Sequence, residues 1–372
     1  MTVCITKYNA ICNLGIDIEH IFRNAIKSDI SKLQEDKNFI DGRSFYFGKV
    51  NTEFENIDDK DFSTRTNQFL LKLVNDMNLR KFVEKYGKEN VAIVIATTNS
   101  GSEEFSESGN EKLSQIGNPA LFLKKLLGTK NFASSISTAC SSGIKIFSTA
   151  KQLIKSGVCK AVIAGGSDAL SHVSVHGFNS LEILSSKRTQ PFSANRCGIN
   201  IGEGAALFTI EKNGKGIEIA GIGETSDAYH ASSPDPEAKE IINAIKIALK
   251  SSDLAPQDID YINLHGTGTK SNDASEGKAI YEIFKDKVPC SSTKSLTGHC
   301  LGAAAAIETA ICCKCLENNF LIKHNFDGEI DTNLPPINLT KQNQEKTMKY
   351  VMNNAFGFGG TNAVMILGKK NE

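Results

Sequence analysis

The 372-residue chain has no net formal charge: 42 Lys and Arg balance 42 Asp and Glu. That balance speaks against nucleic acid as a partner, since phosphate recognition needs a basic surplus. No apolar run approaches the ~20 residues of a membrane-spanning helix. Met1 to Gly15 lacks a basic stretch followed by an apolar one, so no secretory leader is expected. A cytoplasmic protein with reduced thiols is expected despite ten cysteines. No Pro- or Ser-rich linker divides the chain, and no solenoid-like period runs through it. Gly202-Glu203-Gly204 is not followed by the lysine and helix start of a phosphate loop. Cys312, Cys313 and Cys315 share one helical stretch with no fourth ligand, so buried thiols are expected there rather than a metal site.

What is present is an alternation of strands and helices. Val91 to Ala96 is a short apolar strand, and Ala120 to Leu127 a helix. Ile136 begins the approach to Cys140, after which Ile144, Phe147, Ala150 and Leu153 mark one helix face. Ala161 to Ala164 is a continuous apolar strand closed by Gly165-Gly166, as in a parallel sheet covered on both faces. The same logic returns after Asn213-Gly214-Lys215-Gly216. A strand over Gly216 to Gly223 is followed by a helix over Ile241 to Leu249. A strand over Tyr261 to Leu264 is followed by a helix over Ala303 to Cys315. An α/β protein of two duplicated halves, 1–212 and 213–369, sharing one core, is expected.

The chemistry-bearing residues sit in small-residue loops. Cys140 lies in Ser137-Thr138-Ala139-Cys140-Ser141-Ser142-Gly143, directly before a helix. The free N–H groups and dipole at that helix start are expected to favour its thiolate. His265 is delivered by a strand into His265-Gly266-Thr267-Gly268-Thr269, where Thr267 and Thr269 offer hydroxyls to a polar substrate arm. His299, in Thr297-Gly298-His299, opens a helix whose dipole disfavours the imidazolium. It suits hydrogen-bond donation to an enolate better than general-base work. Lys294 and Glu308 flank His299 and are expected to pair and fix its orientation. Phe356-Gly357-Phe358-Gly359-Gly360-Thr361-Asn362 reads as a loop offering an oxyanion donor and an aromatic gate. Each feature alone also has a structural reading: a core cysteine, satisfied loop histidines, a surface lysine, a Gly-rich turn.

Taken in order along the chain, these segments resemble those of a β-ketoacyl-[acyl-carrier-protein] synthase of the thiolase superfamily. The nucleophile segment around Cys140, the two histidine segments and the Asn354 to Asn362 gating loop all match. The Cys-His-His set is similar to the elongating synthases. The resemblance implies a five-layer αβαβα fold in a single 1–369 domain, and a homodimer or a heterodimer with a chain-length partner. It implies an acyl carrier protein with its phosphopantetheine arm as partner, and neither metal nor organic cofactor. It also implies decarboxylative Claisen condensation, extending a fatty acid, polyene or polyketide chain by two carbons. In it Cys140 is the nucleophile, His265 and His299 hold the enolate, and the N–H groups of Cys140 and Phe358 form the oxyanion hole. Departures are Gln190-Pro191-Phe192-Ser193, Cys197 after Arg196, and Asn272-Asp273. The Gly177 to Glu182 and Asn200 to Glu203 segments look more like those of ketosynthases of aryl polyene pathways. The rival readings are a non-catalytic chain-length subunit, a thiolase-type acyltransferase and a cysteine hydrolase.

Overall fold

A computed structural model describes residues 2–369. Ten strands form one sheet. They are β1 (Val3–Cys12), β2 (Val91–Ala96), β3 (Ala133–Ile136), β4 (Ala161–Asp168) and β5 (Gly204–Lys212). The second five are β6 (Ile217–Ser226), β7 (Tyr261–Asn263), β8 (Cys290–Ser291), β9 (Tyr350–Gly357) and β10 (Thr361–Lys369). Their order is β8-β7-β9-β10-β6-β1-β5-β4-β2-β3. The first five strands and the last five thus have the same order, mirrored about the β1–β6 edge. That edge is thin, with Cys4 opposite Glu218 and Ile5 opposite Ile217.

The sheet is not wholly parallel, as the apolar strands alone suggested. β2, β3 and β4 are parallel, as are β7, β8 and β9, whereas β5, β1, β6 and β10 pair antiparallel. A tight turn joins β9 to β10 and needs no crossover helix, so those two strands must run antiparallel.

Six helices complete the layers: α1 (Arg65–Asp76), α2 (Asn118–Leu127), α3 (Ser142–Lys155), α4 (Lys239–Ser252), α5 (Lys270–Phe284) and α6 (Leu301–Asn318). α1 and α2 cover the outer face of the first half-sheet, and α4, with α5 against it, covers the second. α3 and α6 touch strands of both halves and each other, so they form the middle of five layers, αβαβα. This position explains α6. A helix between two sheets has no wet face, and its run Leu301-Gly302-Ala303-Ala304-Ala305-Ala306-Ile307 is buried all round. Cys312, Cys313 and Cys315 are buried on it. α3 meets α6 closely at Gly143, where a β-carbon would stand 2.5 Å from the Ala306 nitrogen. Among the described residues no helix is long and apolar enough to cross a membrane.

Candidate active site

Three of the parallel strands end at the same place, as ligand sites in α/β sheets do. β3 leads to Cys140, β7 to His265, and β8 to the Lys294–Thr297 turn and His299. The chain bends sharply before the thiol: Ala139 has φ +52°, a left-handed conformation that costs a non-glycine residue about 1–3 kcal/mol. The bend is held by side chains. Ser142 Oγ receives the Thr138 N–H at 2.7 Å, and Ser141 Oγ donates to the Thr138 carbonyl at 2.7 Å. The β9–β10 turn clamps it from outside, with Thr361 Oγ1 donating to the same carbonyl at 2.9 Å. Gly357 allows this approach, since a β-carbon there would be 3.1 Å from the Cys140 nitrogen.

Cys140, His265 and His299 come together, their ligand-capable atoms all within 4.8 Å of one another and all buried. His299 Nε2 is 3.0 Å from Cys140 Sγ. The His299 Nδ1 receives the Leu301 N–H at 3.0 Å, so the neutral ring carries its proton on Nε2. His265 is fixed the same way. Its Nδ1 faces the Lys294 ammonium at 3.4 Å, which can only donate, and this leaves the proton on Nε2. Burial, reinforced by the Lys294 charge, holds both imidazoles well below their ordinary pKa, so both are neutral donors. The spacing suits a metal. The tautomers do not, because a metal-ligating Nε2 would need the proton on Nδ1, where both rings accept.

The expected thiolate preference at Cys140 is not what the surroundings favour. The helix itself starts at Ser142, and burial pushes the thiol up to about 11. The Lys294 charge and the N–H groups of Phe358 and Cys140 itself oppose that rise without overcoming it. The sulfur nonetheless sits where two main-chain donors converge.

Lys294 and Glu308 form a fully buried pair, Nζ to Oε1 2.5 Å. The histidine they orient is His265, not the expected His299: Lys294 Nζ also donates to the His265 carbonyl at 2.6 Å. His299 is oriented instead by its own helix start. Glu276 on α5, which sequence reasoning passed over, receives the His265 and Gly266 N–H groups at 2.7 Å each. An acid in the middle of a helix carries no local sign of such a role. Asp273, next to the departing Asn272, receives the Phe192 and Gly268 N–H groups. Arg196 lies near Asp273 and bonds Asp331 at 2.6 Å, while Ser193 Oγ donates to Asp327. The Asp327 carboxylate thus serves the altered Ser193, whereas the altered Cys197 lies against Ser185 Oγ.

A cleft opens onto the sulfur. Thr267, Thr269, Asn272 and Asn362 give it polar walls. The Thr267 and Thr269 hydroxyls meet at 2.9 Å, and Thr269 also caps α5 by receiving the Asn272 N–H. Phe356 is not in the loop: it is buried on β9, its ring 6.0 Å from that of His265. Phe358 is in the turn, half-buried, with its ring 5.8 Å from that of Phe178. Beyond these two rings and Cys140 lies a second, mainly apolar cavity, lined also by Ala139, Leu181 and Leu301. Cys140 therefore stands between a cleft that carries hydroxyl and amide groups and an apolar cavity.

Comparison with known proteins places the chain among relatives. Residues 119–215 match the beta-ketoacyl synthase N-terminal domain and residues 217–325 its C-terminal domain. The 3-oxoacyl-[acyl-carrier-protein] synthase 2 of Coxiella burnetii is 38% identical over 63% of this chain. Nodulation protein E of Rhizobium meliloti is 35% identical over 64%. The chain spans 61% and 62% of the length of these curated relatives. A ketosynthase (ApeO) solved in complex with its chain length factor (ApeC), from Xenorhabdus doucetiae, superposes with a TM-score of 0.94. It is 34% identical, over 99% of this chain and 98% of that one. With its thiolase-like five-layer fold, the chain belongs to the β-ketoacyl synthase family.

Proposed function

We propose that the chain catalyses decarboxylative Claisen condensation of an acyl-Cys140 thioester with malonyl-acyl-carrier-protein, lengthening the acyl chain by two carbons. The observation that carries this is the pair of neutral imidazoles whose Nδ1 atoms are both occupied, leaving two Nε2–H donors beside one thiol. A hydrolase would need one histidine free to accept a proton and oriented by an acid.

In the first half-reaction the Cys140 sulfur attacks the carrier's thioester carbonyl. The thiol proton leaves with the released phosphopantetheine thiol, so no residue need keep it. The N–H groups of Cys140 and Phe358, both directed at the sulfur, hold the carbonyl oxygen as it becomes an oxyanion. In the second, a malonyl thioester enters by the Thr267 and Thr269 cleft and places its carbonyl at the two Nε2–H groups. Carbon dioxide leaves, the electron pair forms the enolate, and the imidazoles stabilise its oxygen without giving up their protons. The carbanion attacks the acyl carbonyl, the C–S bond breaks, and the released Cys140 thiolate takes a proton from water. Lys294 and Glu308 position His265. Burial, with the Lys294 charge added to it, keeps both rings neutral.

We read 1–212 and 213–369 as two halves of one catalytic unit that works in the cytoplasm and needs no bound cofactor. The cleft leading to the thiol, with the Thr267 and Thr269 hydroxyls on its wall, suits the phosphopantetheine arm of an acyl carrier protein. The likeness to a ketosynthase solved with a chain length factor supports a partner subunit of that kind over a second copy. Purified protein is mixed with acyl- and malonyl-carrier thioesters, and carbon dioxide release and carrier mass are followed. A 3-oxoacyl carrier two carbons longer is expected. Hydrolysed acyl acid without condensation, or no Cys140 adduct, would overturn the reading.

A further inference from the structure

Three loops meet beside the Lys294–Thr297 turn and enclose a cavity of about 440 Å³. Ser28 and Ile30 follow the helix Ile18–Ile26, Arg188 and Gln190 come from the stretch before β5, and Lys323 follows the strand Phe320–Leu321. The cavity shares no lining residue with the cleft or the apolar cavity at Cys140. It backs onto the His265 loop, since Thr189 in its wall donates to the Thr267 carbonyl at 3.1 Å. The wall is rich in donors. Arg188 is held by its Nε, which donates to the Ile30 carbonyl at 3.0 Å, and by the Tyr46 ring, centred 4.7 Å from its guanidinium carbon. Arg188 and Lys323 are both half-buried, and neither forms an ion pair among the described residues. The Gln190 oxygen receives the Asp327 N–H at 2.7 Å, which leaves its NH2 to donate. Ser28 Oγ and Ser295 Oγ are buried with no hydrogen-bond partner among the described residues, and Ser295 is only 3% exposed. Buried hydroxyls normally have one. Asp327 is the acid of this wall, but Ser193, Asn195 and the Glu329 N–H already engage its carboxylate.

We propose that this cavity binds a small organic phosphate monoester, with its phosphate between Arg188 and Lys323. A carboxylate offers two oxygens to such a wall, whereas a phosphate monoester offers three and about twice the charge. The Arg188 fork matches two of those oxygens, and the Lys323 ammonium meets the third as a point charge. The Ser28 and Ser295 hydroxyls and the Gln190 amide supply further donors. A bare phosphate leaves most of the cavity empty, and its volume is that of a small-molecule site. The organic part packs on Ile30, which is 47% exposed, and on the half-buried Phe326. Nothing in this site depends on condensation chemistry.

The test is calorimetric titration of the full chain with phenyl phosphate, inorganic phosphate and benzoate, at physiological ionic strength so that loose surface attraction is screened. Wild type is compared with Lys323→Gln, Arg188→Gln and Lys341→Gln, the last removing an exposed lysine outside the cavity. Phenyl phosphate is expected to bind once per chain, more tightly than inorganic phosphate, which leaves the apolar wall bare. Its affinity should fall about tenfold or more in Lys323→Gln and in Arg188→Gln, the scale of one lost charged hydrogen bond, and stay unchanged in Lys341→Gln. No binding to wild type at millimolar ligand overturns the site. So does unchanged affinity in Lys323→Gln, or equal weakening in Lys341→Gln. Tighter binding of benzoate than of phenyl phosphate overturns the phosphate assignment. If Arg188→Gln fails to fold without its packing on Tyr46, Lys323→Gln decides alone.

Discussion

His299 Nε2 stands 3.0 Å from Cys140 Sγ, and its other ring nitrogen is held by the Leu301 N–H. The ring is therefore a donor to the sulfur, not a base for it. Once the sulfur is acylated it becomes a poor acceptor, and the same N–H is freed for the second substrate. In the proposed condensation this one contact links loading to decarboxylation.

His299→Ala follows from that contact. The variant should still form the Cys140 acyl adduct, since proton loss goes to the leaving thiol. Malonyl decarboxylation should fall ~100-fold or more, the scale of one lost oxyanion donor. Separate assays of adduct mass and carbon dioxide check this. Failed loading with decarboxylation intact would reverse the two roles.

A thiol pushed up to about 11 makes a pH prediction. The thiolate fraction should rise tenfold per pH unit between about pH 7 and 9, and alkylation of the Cys140 peptide by iodoacetamide should rise with it. Peptide mapping is required because Cys197 is exposed and will also react, without loss of activity. A rate plateau near neutral pH would mean that the donors around the sulfur outweigh its burial.

Glu276 gives the stability counterpart. Burial raises its acid from 4.5 to about 7. The fold therefore prefers the protonated form, and this group's contribution is fully present below pH 4.5 and lost as pH rises through about 7. The expected loss is about 3 kcal/mol. Urea unfolding of wild type and Glu276→Gln at the two ends of that window isolates it. The gap between them should shift against wild type as pH rises, and a constant gap removes Glu276 as the cause.

Phe358 lines both the cleft beside Thr267 and Thr269 and the apolar cavity, and Gly359 beside it has φ +76°. A ring at that boundary can gate the two half-reactions and keep water from the acyl thioester. Phe358→Ala should cost less than the ~3–5 kcal/mol of a fully buried phenylalanine. It should also discriminate less among acyl donors and release free acyl acid. A large fall in Tm with unchanged selectivity would make the ring a packing residue only.

Much of this protein is written in short stretches of sequence. Cys140 before a helix, His265 after a strand and the Ala-rich run of α6 are local patterns, because strand ends and helix starts depend on neighbours a few residues away. The departures at Ser193 and Cys197 were visible too. Other features depend on distant partners. That Lys294 serves His265 and not His299, that Glu276 holds the His265 loop, and that burial outweighs the helix start at Cys140 all depend on side chains meeting across the middle layer. Spacing along the chain cannot express such contacts. The left-handed Ala139 is likewise set by Thr361, Ser141 and Ser142 closing on the turn.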